Sequence, residues 1–79
     1  MRVNLRWGMP TRERLLRLVA ECDARGRPVP ELRLVAFEIG RSQHELSRVV
    51  NQLVREGVLA LIEIDGRRAP TMAARRVPN

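Results

Sequence analysis

The chain contains no lysine, and its 79 residues include only one cysteine and one histidine. Each scarcity excludes something. A single cysteine, Cys22, cannot build an internal disulfide framework and suits a reducing compartment. Cys22 falls on an apolar helical stripe, so it reads as a small core hydrophobe and not as a reactive thiol. One histidine and one cysteine make no zinc ligand set, so neither a metal nor a cofactor is expected. His44 has no nucleophile or carboxylate constellation around it, so no enzyme is expected either. No segment approaches the ~20 apolar residues of a membrane span. The start Met-Arg-Val-Asn-Leu-Arg-Trp lacks an uninterrupted apolar stretch and a small-residue cleavage site, which makes the cytoplasm the expected location.

With lysine absent, every basic side chain is an arginine. The formal net charge is +6 and the isoelectric point about 11.6, a balance that favours a polyanionic partner and says nothing of fold. Two causes are compatible with the bias: the codon usage of a genome rich in guanine and cytosine, and selection for a planar group that grips phosphate or guanine through two bonds. At 79 residues the chain reads as one small domain, near the size at which a single core is marginally stable. Self-association is therefore a reasonable expectation.

Residues 1–10 read as an arm or strand, because Val3, Leu5 and Trp7 alternate with Arg2, Asn4 and Arg6 before Gly8, Met9 and Pro10 break the pattern. Thr11 then suits a helix cap. Leu15, Leu18, Val19 and Cys22 recur at helical spacing to Arg25, with Gly26 to close the helix and Glu13–Arg17 and Glu21–Arg25 as i,i+4 pairs. Arg27-Pro28-Val29-Pro30 cannot be helical and reads as a connector or edge strand. Pro30 fits the first position of a second helix, with Leu32, Val35, Ala36 and Ile39 facing the core. Leu34 and Phe37 fall outside that stripe, leaving two destinations: the first helix, or another subunit.

Gly40 supplies a left-handed helix end, and Ser42 with Glu45 forms a capping box that opens a third helix. Val58 to Ile64 reads as a strand, Asp65-Gly66 as a hairpin turn, and Thr71 onward as the return, which Pro70 weakens. Residues 75–79 read as a basic tail. The expected fold is mostly α with a small β-hairpin.

The third helix carries the chemistry. At about 100° per residue, Leu46, Val49, Val50, Leu53 and Val54 gather on one side, and Gln43, His44, Ser47, Arg48, Asn51, Gln52 and Arg55 on the other. Gln, Asn, Arg and Ser have the matched donors and acceptors that base edges and phosphates require. Gln43, His44, Ser47 and Arg48, with Asn51 at the limit, are the base-reading candidates: Arg48 for guanine, Gln43 for adenine, Ser47 for a base edge or phosphate. Asn51 has an alternative as a hydrogen bond within the domain, and His44 as a phosphate contact or plain surface histidine. Arg41 and Ser42 in the turn, Arg33 on the second helix and Arg55 at the end of the third are backbone candidates. Arg67 and Arg68 read as a hairpin-tip pair for a minor groove or backbone, because a tip has no structural need for adjacent cations.

The set Val35-Ala36, Ile39-Gly40, Ser42, Leu46-Ser47-Arg48-Val49, Leu53 and Gly57-Val58-Leu59, with the Asp-Gly-Arg-Arg hairpin, resembles bacterial winged helix-turn-helix transcription regulators of the MarR and related groups. The resemblance spans residues 11 to about 74. It implies a three-helix core with a two- or three-stranded wing, a short strand after the first helix, and a homodimer on double-stranded DNA. It places Ser47 and Arg48 at the DNA in the third helix, and Arg67 and Arg68 at the wing tip. The second helix lacks the usual Ser, Thr or Asp cap, and the long flanking dimerisation helices are missing, so no small-molecule effector is expected. A rival expectation is a winged-helix interaction module in a larger assembly, using Val3, Leu5, Trp7, Leu34 and Phe37 as its surface.

Overall fold

The computed structural model describes residues 10–73, which form α1 (Thr11–Ala24), α2 (Leu32–Ile39), α3 (Gln43–Arg55), β1 (Leu59–Ile64) and β2 (Arg67–Met72). Three helices followed by a two-stranded antiparallel hairpin make the mostly helical arrangement that the sequence predicts. The expected arm with Val3, Leu5 and Trp7 and the expected tail over 75–79 lie outside the described residues.

The start of α1 differs from expectation. Pro10, extended at φ −63° and ψ 153°, is the cap, and its carbonyl accepts the Arg14 amide at 3.1 Å. Proline suits the place because its ring pre-sets φ and it has no N–H to leave unpaired. Thr11 lies inside the helix, buried, and its hydroxyl donates to a Glu45 carboxylate oxygen of α3 at 3.1 Å. At the other end the Gly26 and Arg27 amides return to the carbonyls of Asp23 and Cys22. The pairs Glu13–Arg17 and Glu21–Arg25 stay open, and the ion pairs among the described residues are Arg12–Glu56 and Arg33–Glu31. An exposed i,i+4 pair gains only about 0.3–0.5 kcal/mol, little against the entropy of fixing two long side chains.

Residues 25–31, directly after α1, are a connector without a strand. Pro28 and Pro30 both lack the amide a ladder needs, so Val29 between them buries its side chain in the core without pairing, and among the described residues the sheet has two strands and not three. Glu31, at φ −54° and ψ 145°, caps α2, and its carbonyl accepts the amides of Leu34 and Val35. Pro30 therefore stands outside the helix instead of at its first position. Val35, Ala36 and Ile39 are buried and Leu32 packs against them. Leu34 and Phe37 are not part of that core: they are 51% and 87% exposed.

Gly40 ends α2 at φ 80°, and the Gly40 and Arg41 amides both bond the Ala36 carbonyl, at 2.8 and 3.0 Å. A non-glycine residue would be strained in that left-handed conformation. The turn Gly40-Arg41-Ser42 thereby sets α3 against α2. Leu46, Val50 and Leu53 of α3 enter the core with Leu15 and Val19 of α1, Val35 of α2 and Leu59 of β1.

Asp65 at φ 49° and Gly66 at φ 80° form the tight turn that matches the twist of paired strands. The ladder runs from Ile64 opposite Arg67 to Leu59 opposite Met72, so the return strand starts four residues before the expected Thr71. Pro70 is accommodated because every second amide of a two-stranded ribbon points away from the partner. Asp23 fastens the far end: its carboxylate accepts the Thr71 hydroxyl at 3.0 Å and the Met72 amide at 2.8 Å. Among the described residues no helix is long and apolar enough to cross a membrane.

Candidate functional site

Helix α3 places its polar side chains by simple rotation. Because Leu46, Val50 and Leu53 are drawn inward, His44, Arg48, Asn51 and Arg55 form one stripe on the opposite side, all exposed. Asn51 makes no side-chain hydrogen bond among the described residues, so its alternative role within the domain is not realised there. Gln43 and Ser47 lie on one flank of the stripe, and Gln52 on the other. Arg55 in the last turn also opposes the negative end of the helix dipole, a structural use that needs no ligand.

The start of α3 follows from Ser42, whose hydroxyl oxygen accepts the Glu45 amide at 3.1 Å. Only this half of the capping box matches expectation: the Glu45 carboxylate turns to Thr11 of α1. A buried threonine hydroxyl needs an acceptor, and the carboxylate supplies one across the helix interface. Ser42 still has its hydroxyl hydrogen to donate.

A second carboxylate on the α1 flank is also tethered. Glu56 accepts Arg12 of α1 at 3.0 and 3.4 Å and the Gln52 side-chain amide at 3.2 Å. The Arg12 hydrogen bond, followed by that from Gln52, holds the Glu56 carboxyl below its ordinary value, with desolvation opposing. Gln52, read from the sequence as part of the open polar face, is thus committed to the fold. Glu45 and Gln52 edge a groove with His44, Arg48 and Val49. The two acids nearest the stripe are held by donors from α1, so neither lies free on the exposed face.

On the other flank, Glu31, Leu32, Arg33, Gln43, Arg67 and Arg68 line an open groove between the start of α2, the start of α3 and the hairpin. Three of the anticipated arginines meet there, yet they are not equivalent. Arg33 pairs with Glu31 at 3.3 Å in the open. Arg67 is half-buried and donates from its guanidinium to the Val29 carbonyl at 3.1 Å. The expectation of two free tip cations therefore fails for Arg67: the prolines leave the Val29 carbonyl without a strand partner, and Arg67 supplies the missing donor. The tip itself is Asp65-Gly66, and Arg68, exposed and opposite Glu63, is the hairpin cation without a side-chain hydrogen bond or ion pair among the described residues.

Arg41 is exposed in the α2–α3 turn. It lines a third groove with Ile39, Gly40 and Arg14 of α1. Arg14 carried no local signal, because its nearness to the turn arises only when α1 packs on α3. Asp23, Thr11 and Arg12 were missed for the same reason: their bonds span 34 to 49 residues of chain. Among the described residues no group of three His, Cys, Asp or Glu side chains could hold a metal ion. No protein-family model, curated protein or solved structure matches the chain.

Proposed function

We propose that residues 11–74 form a winged helix-turn-helix that binds double-stranded DNA sequence-specifically and regulates transcription in the cytoplasm. Helix α3 enters the major groove, and the hairpin is the wing against the flanking minor groove or backbone. The observation that carries this reading is the exposed stripe His44, Arg48, Asn51 and Arg55, free of acidic side chains while Glu45 and Glu56 are tethered beside it. A solvated face needs no such clearance; a face approaching phosphates does.

The roles follow from donor geometry. Arg48 offers a guanidinium fork to guanine, Gln43 an amide to adenine, and Ser47, His44 and Asn51 shorter contacts to base edges. Arg33, Arg41, Ser42, Arg55 and Arg68 grip the backbone, while Arg67 holds the wing to the body through Val29. Arg48→Ala should weaken a selected site by about 1–3 kcal/mol in an anisotropy titration. Arg68→Ala should weaken selected and scrambled duplexes equally. Equal losses for both variants on both duplexes would remove α3 from base recognition.

The exposure of Phe37 and Leu34 favours a further role for α2, as the contact with a second copy or, in the rival reading, with another protein. A homodimer would suit a two-fold symmetric site. Phe37→Asp should then shift the sedimentation of the free protein from dimer to monomer. An unchanged sedimentation coefficient would take α2 out of the self-contact.

A further inference from the structure

The expected DNA contacts gather on one flank of α3, where Arg33, Gln43 and Arg68 line the same groove. A helix lying in a major groove has a phosphate backbone on each side of it, about 12 Å apart. The opposite flank therefore needs cations of its own; of the expected contacts Arg41 lies there, and its partner Arg14 was not apparent from the sequence.

We infer that Arg14 and Arg41 form a second backbone-phosphate site, on the α1 side of the start of α3, for the strand opposite the one gripped by Arg33 and Arg68. The inference rests on the DNA-binding reading and adds a site to it. Arg14 comes from the first turns of α1 and Arg41 from the α2–α3 turn, and with Ile39 and Gly40 they line one open groove. Arg41 is exposed, Arg14 is half-exposed, and neither is ion-paired among the described residues.

Two guanidinium groups and a helix start surround this groove. The nearest carboxylate on α3, that of Glu45, keeps its charge but is turned to Thr11, one helical turn before Arg14. The first turn of α3 begins just beyond Arg41, and its positive dipole end and the amides that Ser42 does not cap lie near this turn. Gly40 presents no side chain, and nothing lies within 4 Å of where its Cβ would stand, so the groove is open on that side. Two phosphate sites straddling one helix also fix its tilt. Arg14 on this account reads no base and contacts only the backbone.

The test uses the whole chain with two labelled duplexes, one selected from a random pool and one scrambled, titrated over a series of salt concentrations. Arg14→Ala and Arg41→Ala should each flatten the dependence of log Kobs on log salt by about 1, and the double variant by about 2. The losses should be the same for both duplexes. Arg14→Lys with Arg41→Lys keeps the charges and should recover most of the slope. Arg25→Ala, at the far end of α1, controls for a general loss of positive charge and should have the smallest effect. Circular dichroism melts of the variants separate lost folding from lost contact. If the wild type binds both duplexes and the double alanine variant, still folded, keeps its salt slope or matches Arg25→Ala, the second site is wrong while DNA binding stands. If the wild type binds neither duplex at low salt, the parent reading and this site fall together.

Discussion

At the scale of single residues, the arrangement depends on polar side chains that sequence reading assigned to nothing. Asp23 joins the end of α1 to the end of β2 by accepting two donors that would otherwise face water. Asp23→Ala should cost about 1–3 kcal/mol of stability in urea denaturation and loosen the hairpin before the helices. Amide exchange resolves the order; simultaneous loss of protection in hairpin and helices would contradict the clamp. Glu56 gives a prediction in pH. Its carboxyl is depressed by Arg12 first and Gln52 second, so its contribution is present above the unfolded glutamate value and lost as pH falls through the lower folded one. The stability difference between wild type and Glu56→Gln should therefore shrink on acidification across that window, and by a small amount, because the group is exposed. A difference that did not change with pH would mean the ion pair is not formed in solution.

At the scale of elements, what the sequence makes legible is whatever is decided locally. Gly40, Ser42 and the apolar repeat Leu46, Val50, Leu53 set the bounds of α3, because a left-handed cap, a side-chain cap and a 3.6-residue period each act within a few residues. Asp65-Gly66 set the hairpin in the same way. The connector read at Arg27-Pro28-Val29-Pro30 holds, while the strand that the resemblance implies there and the free tip expected at Arg67 fail together, for one reason that spans the fold: prolines on both sides of Val29 remove the ladder, and a guanidinium 38 residues away takes its carbonyl. Helix starts shifted where proline was involved, at Pro10 and Pro30, since its ring allows either a cap or a flanking position. Gly40→Ala tests the turn. No atom obstructs the new Cβ, so the cost is conformational, about 1–2 kcal/mol, and a thermal melt should show destabilisation without loss of helix content. An unchanged melt would mean the turn relaxes to another geometry.

At the scale of the whole molecule, three helices and a hairpin enclose a core of aliphatic side chains and leave one stripe of α3 open, with Arg33, Arg67 and Arg68 in a groove beside its start. The stripe residues were legible because amphipathic rotation alone exposes them. Which acids are tethered beside them, which arginine holds the fold and that Arg14 meets Arg41 were not, because these depend on how α1 and the hairpin pack on α3. The formal charge of +6 belongs to the chain as a whole, but its effect on a polyanion depends on this sorting. The most direct measurement is binding of the intact chain to duplexes selected from a random pool, over a range of salt, beside Arg48→Ala. The account predicts an enriched sequence, affinity that falls steeply with salt, and an Arg48→Ala loss confined to the enriched sequence. Absence of duplex binding at low salt, or binding with no enriched sequence and no effect of Arg48→Ala, would contradict it.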